Sequence, residues 1–243
     1  MNEIFAIAGS TWRNILRMKV IYFLIFCTWV LVACTINYDV LSLGLEKDLL
    51  IDASLLLCTI TAVLSVISIT FEISKELKNG VASSMLSKPL GRTHYLLGKL
   101  LGNIEVGFVL TFLVAIGSLA ILHLAFPGNV TTTLIQSYLL ILFSIIPMSS
   151  IAVLFALLLP DVIAPIATAI IIWLTFSTGI FSNVPVLYAG IIPDLELFNL
   201  KGAATYGFAI PWSYVLLALI TGICYAVFAS TLASYIFTHK DIH

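Results

Sequence analysis

Of the 243 residues, 61% are hydrophobic and only 9% are Asp, Glu, Lys or Arg, and the mean hydropathy is +1.14. Soluble domains carry roughly 25% charge, and so few charged groups cannot cover a globule of this length, so lipid must be the solvent for most of the chain. The net charge of -1 provides no basic field to hold phosphodiesters, which excludes a nucleic-acid binder, and Cys27, Cys34, Cys58 and Cys224 lie inside apolar runs without paired spacing, as small core residues do.

Residues 3 to 17 place Ile4, Ala8, Trp12, Ile15 and Leu16 on one helical face, with Glu3, Ser10, Arg13, Asn14 and Arg17 mostly elsewhere. This pattern predicts a helix in the headgroup plane, with arginines toward lipid phosphate, in preference to a plain signal-anchor flank. Leu31-Val32-Ala33-Cys34 has the form of a lipoprotein cleavage box, but the region before it is long, amphipathic and acidic at Glu3, unlike a signal-peptide n-region.

Six apolar runs approach the roughly 20 residues needed to cross a bilayer: 20 to 37, 49 to 71, 102 to 124, 134 to 159, 162 to 182 and 211 to 237. The fold class expected is therefore an all-α membrane protein with six transmembrane helices. Only Pro160 and Asp161 separate the fourth run from the fifth, which predicts a tight helical hairpin. Asn129-Val130-Thr131 is a glycosylation triplet of a kind that arises often by chance. Residues 183 to 210 are apolar but chopped by Pro185, Gly190, Pro193, Gly202 and Gly207, so they predict short re-entrant or interfacial helices, with Trp212 and Tyr214 anchoring the last run.

Polar groups inside the runs are few. Ser54, Cys58, Thr61, Ser65, Ser68 and Glu72 follow spacings of three and four and form one stripe on the second helix. Such a stripe serves close helix packing, or lines a translocation path or a seam between two copies. Glu105 lies just inside the third run beside Asn103 and the Gly98/Gly102 pair, where an ionisable side chain is costly unless paired or hydrated; Lys99 is one partner within its reach.

Seven of the 23 charged residues lie between the second and third runs. Residues 72 to 79 predict a charged helix, Gly80 breaks it, Met85 and Leu86 give the next turn an apolar face, and Pro89 stops it. This loop resembles the cytoplasmic loop of ABC-2 type transporter permeases, the transmembrane subunits of ATP-binding-cassette transporters. The likeness rests on Glu76 to Gly80, on Leu86-Ser87-Lys88-Pro89 with Arg92, and on Leu97-Gly98-Lys99 opening the third span. Val81 stands where many members have Thr. The six spans, the amphipathic lead-in, the broken segment before the last span and the tail Phe237-Thr238-His239-Lys240-Asp241 extend the resemblance over residues 1 to 243 as one domain.

The resemblance implies a permease half in the bacterial cytoplasmic membrane that pairs with a second copy or similar subunit and exports its substrate. It implies a separate nucleotide-binding ATPase subunit that holds ATP and Mg, and allows an extracytoplasmic accessory protein. It assigns Glu72, Glu76, Gly80, Met85, Leu86, Lys88, Pro89 and Arg92 to coupling with that ATPase, with Asp161 as a secondary contact. The residues agree that this chain binds no nucleotide: its only Gly-Lys pair is Gly98-Lys99, flanked by Thr93 and Leu100 where a P-loop needs Gly and Ser or Thr. No HExxH, GxSxG or Cys-x-x-Cys pattern supports an enzyme or metal centre. The competing classes are an ATP-independent channel or carrier, which calls for charges deep in several spans, and an assembly factor without transport activity.

Orientation follows from the basic residues. Arg13, Arg17, Lys19, Lys75, Lys78, Lys88, Arg92, Lys99 and Lys240 fall on one side of an alternating six-span chain, leaving Lys47 and Lys201 opposite. Both termini and residues 72 to 101 are therefore expected in the cytoplasm. A Ser84→Cys variant in intact cells should resist a membrane-impermeant maleimide and react only after permeabilisation; labelling of intact cells would reverse the topology.

Overall fold

The computed structural model describes residues 2–17, 19–35, 45–80, 91–160, 162–177 and 193–239, and among them it is helical without strands. The elements are α1 (Asn2–Leu16), α2 (Lys19–Cys34), α3 (Glu46–Lys78), α4 (Arg92–Ala125), α5 (Thr132–Leu158), α6 (Ile163–Thr175), a 3-10 turn (Leu195–Phe198), α7 (Lys201–Tyr206) and α8 (Trp212–His239). Four helices, α3, α4, α5 and α8, are long and apolar enough to cross a membrane. α2 and α6, with 16 and 13 residues, are shorter than the runs the sequence marks.

Charge placement on α3 matches a bilayer. Asp52 and Glu72 bracket residues 53 to 71, which carry no charge and rise about 28 Å at 1.5 Å per residue, close to the ~30 Å hydrocarbon thickness. The outer surface agrees. Phe23, Phe26, Phe112, Ile116, Leu216, Leu217, Ile220 and Phe228 are all exposed, an apolar area that water would not tolerate on a monomer. The chain is membrane-embedded.

α5 forms the centre. It packs against α3, α4, α6 and α8, and its apolar residues run right round the helix, as suits a helix enclosed on all sides. Thr131 caps its start by accepting the Leu134 N–H at 3.2 Å. At its middle, Gly222 of α8 passes Pro147 so closely that a Cβ would lie 3.5 Å from the proline ring and 3.1 Å from Phe198. α5 then turns into α6 through Pro160, whose carbonyl accepts the N–H groups of Ile163 and Ala164 at 3.0 Å. Asp161 lies outside the described residues.

Between α6 and α8 the broken segment supplies the 3-10 turn and α7, which ends at Gly207 with φ 70°. Its carbonyls are satisfied by side chains of the spans. Thr133 donates to Phe208 O at 3.0 Å, Gln136 to Ile210 O at 3.1 Å and Tyr214 to Leu197 O at 2.8 Å. Irregular backbone beside apolar helices requires such partners. Half-buried Lys201 on α7 is pulled below the usual lysine range by desolvation, an effect that Asp52 on α3 opposes.

α4 begins at Arg92, ten residues before the run the sequence marks, so Arg92 and Lys99 lie on a helix and not in a loop. Apolar side chains explain the extension: Tyr95, Leu96 and Leu100 are buried there. Gly98 and Gly102 seat α1. A Cβ on Gly98 would stand 3.0 Å from Ile4 O and within 2.9 Å of Ile7 side-chain atoms; one on Gly102 would stand 3.0 Å from the Ala8 backbone. Farther along, Gly117 accommodates Trp29 of α2 in the same way. Gly98→Val or Gly102→Val should therefore cost about 1–3 kcal/mol by overpacking and free α1 for tryptic cleavage at Arg13 and Arg17. Gly9→Ala, whose Cβ meets nothing within 4 Å, should leave cleavage unchanged.

Candidate functional site

Two pairs of residues four apart meet where α3 ends and α4 begins. Glu72 and Glu76 share one face of α3; Tyr95 and Lys99 share one face of α4. Lys99 Nζ donates to Glu72 Oε1 at 2.8 Å and to Glu76 Oε1 at 2.6 Å, and the Tyr95 hydroxyl donates to Glu76 Oε2 at 2.5 Å. Asn14 of α1 adds an N–H to Glu72 Oε1 at 3.2 Å. The Lys99 side chain is 1% exposed, with Glu72 at 8% and Glu76 at 12%.

Two carboxylates four residues apart on one helix repel, and burial removes the water that would screen them. Lys99 is the ion that makes their proximity tolerable. The cluster remains formally one negative charge in excess, and Glu72 Oε2 is buried without a hydrogen-bond partner.

The same turns of α4 hold the end of α8. Arg92 Nη1 donates to Phe237 O at 3.1 Å and Thr238 O at 3.0 Å, satisfying carbonyls that a helix C-terminus leaves free and placing positive charge at its negative pole. The Tyr95 ring stacks on Phe237 at 5.9 Å. Residues 92, 95 and 99 thus tie α4 to α3 and α8, and Glu72 brings in α1.

Of the residues assigned to coupling, Glu72 and Glu76 point to Lys99, and Arg92 caps α8. Gly80 closes α3 with φ 68°. Met85, Leu86, Lys88 and Pro89 fall outside the described residues, as Asp161 does.

On the stripe, Ser54 accepts from Tyr138 of α5 at 2.9 Å, and the Cys58 thiol faces Thr111 O of α4 at 3.8 Å. Thr61, Ser65 and Ser68 donate to carbonyls of their own helix at 2.7 to 2.9 Å. Ser54, Cys58, Thr61 and Ser65 are buried among this chain's own helices, where small side chains let α4 and α5 approach α3 closely. Glu105 is exposed on α4, and Lys99 is taken by the two glutamates instead. Asn103, beside it in sequence, is buried and donates to Ser149 of α5 at 3.0 Å.

From the sequence Tyr95 has no role, Asn14 is only a polar-face residue, and Lys99 is a positive-inside charge and a partner for Glu105; the structure gives all three to Glu72 and Glu76. The available signal was the matched four-residue spacing of Glu72/Glu76 and Tyr95/Lys99 across the loop. A cavity of about 260 Å³ lies next to these turns, between α4, α5 and α8, lined by Leu96, Leu97, Leu100, Ser150, Val153 and Ser234 among others. Among the described residues no group of His, Cys, Asp and Glu is arranged to hold a metal ion. No family model matches the chain, and no curated protein matches it.

Lys99→Met should cost about 3–5 kcal/mol, since it leaves two buried carboxylates facing each other without a cation. The triple variant Glu72→Gln, Glu76→Gln, Lys99→Met removes every charge and should recover most of that loss. Thermal unfolding of detergent-purified protein reads both; a Lys99→Met protein as stable as the parent would show that the cluster is hydrated.

Proposed function

We propose that this chain is the permease subunit of an ABC-2 type ATP-binding-cassette transporter, acting as a dimer or with a similar subunit and driven by a separate ATPase that binds ATP and Mg. In this reading the chain crosses a bacterial cytoplasmic membrane six times with both termini inside, α1 lies at the interface, and the substrate is exported. The proposal rests on the resemblance of the loop between α3 and α4. One observation supports it: the ion cluster joins the two helix ends that flank that loop.

A push on residues 81 to 90 would be delivered to α3 through Glu72 and Glu76 and to α4 through Lys99 and Tyr95. Because Arg92 holds α8 and Asn14 holds α1, four helices would respond as one unit. That is the mechanical requirement for converting nucleotide-driven motion of a partner into helix movement. Glu76 and Arg92 then act inside the permease to transmit force, while Met85, Leu86 and Lys88 are left to contact the ATPase.

Burying two side chains such as Met85 and Leu86 is worth ~3–6 kcal/mol, against ~0–1 kcal/mol for an exposed charge pair. Met85→Ala with Leu86→Ala should thus remove most of the co-purifying Walker-A ATPase, and Lys88→Ala much less, with membrane insertion normal in both. The measurement is nucleotide hydrolysis and ATPase stoichiometry after purification from the native membrane. Full assembly of the double variant, or hydrolysis by the chain free of other subunits, would overturn this reading.

A further inference from the structure

α1 turns one face to α4 and leaves the other uncovered. Ile7, Ala8 and Thr11 are buried against Gly98 and Gly102, which fixes the helix. On its outward side a depression of about 480 Å³ is lined by Phe5, Ala6, Gly9, Ser10, Arg13, Asn14 and Arg17. Phe5, Gly9, Arg13 and Arg17 stand four residues apart and so form one row along the helix. Gly9 is the floor: a Cβ there would meet nothing within 4 Å.

The chemistry of this groove changes along its length. Arg13 and Arg17 bring two exposed guanidiniums to one end, where planar forks suit phosphate oxygens, and none of the described lining residues is acidic. Phe5 at the other end is 61% exposed. Paired guanidiniums in line with an uncovered aromatic ring suit a ligand with an anionic head and a hydrocarbon body.

We propose that this groove is a binding site for an anionic phospholipid, with the headgroup phosphate between Arg13 and Arg17 and the glycerol backbone over Gly9 toward Phe5. A free phosphate would use the arginines but leave Phe5 in water. The site depends on membrane embedding alone and stands whether or not the chain is a permease.

The test is native mass spectrometry of the full chain in detergent, titrated with phosphatidylglycerol or phosphatidylcholine of the same acyl chains. The parent should bind phosphatidylglycerol about tenfold more tightly, in keeping with two arginines at a lipid surface. Arg13→Gln with Arg17→Gln should abolish that preference while phosphatidylcholine binding stays the same. Gly9→Leu, which fills the floor without altering charge, should weaken phosphatidylglycerol binding as well. Equal affinity of the parent for both lipids, or an unchanged preference in the arginine double variant, would overturn the proposal. So would displacement of phosphatidylglycerol by stoichiometric glycerol phosphate, which would assign the groove to a soluble phosphate. A dimer in the same spectra that dissociates in the arginine variant would assign it to a second copy.

Discussion

A single ammonium group sets the arrangement of one end of the bundle. Lys99 sits between Glu72 and Glu76 with almost no exposure, so separating the two helix ends would leave desolvated charges on both. α3 presents two carboxylates on one face, so it needs a buried cation; α4 presents a lysine among Tyr95, Leu96 and Leu100, so it needs buried anions. The energy of the pair lies less in its net attraction than in the penalty for separating it, because each partner alone would be a desolvated charge. Such a contact favours one relative placement of the helices over its neighbours.

Glycine and small hydroxyl side chains do the corresponding work along the rest of the bundle. α1 reaches α4 over Gly98 and Gly102, α2 over Gly117, and α8 reaches α5 at Gly222. Between α3 and its neighbours the close approach is made at Ser54, Cys58 and Ser65, whose polar atoms are satisfied locally or across the contact. Lipid supplies little drive for helices to associate, so intimate contact and interhelical hydrogen bonds must supply it. The small residues sit where two helices of this chain meet.

The two ends of the bundle are held by different kinds of contact. At the α3–α4 end, ionic and aromatic contacts bind α1, α3, α4 and α8 together beside the charged loop. At the other end, α5 and α8 hold the broken segment through single hydrogen bonds from Thr133, Gln136 and Tyr214. Charge-assisted bonds are roughly twice as strong as neutral ones.

The sequence by itself determined that lipid is the solvent, where α3, α5 and α8 run, that α5 and α6 are joined by a proline turn, and that α3 continues as a charged helix to Gly80. These properties are local: hydropathy over twenty residues, a missing N–H, a glycine at positive φ. It did not determine that α4 starts at Arg92, since a segment rich in Arg, His and Lys reads as a solvated loop until its charges find partners. Tertiary structure alone decided those partners. Lys99 joins residues 23 and 27 positions away, Arg92 joins carbonyls 145 and 146 positions away, and Asn14 reaches across 58. Periodicity shows which residues share a face of one helix, but which face meets which depends on the packing of all the helices at once.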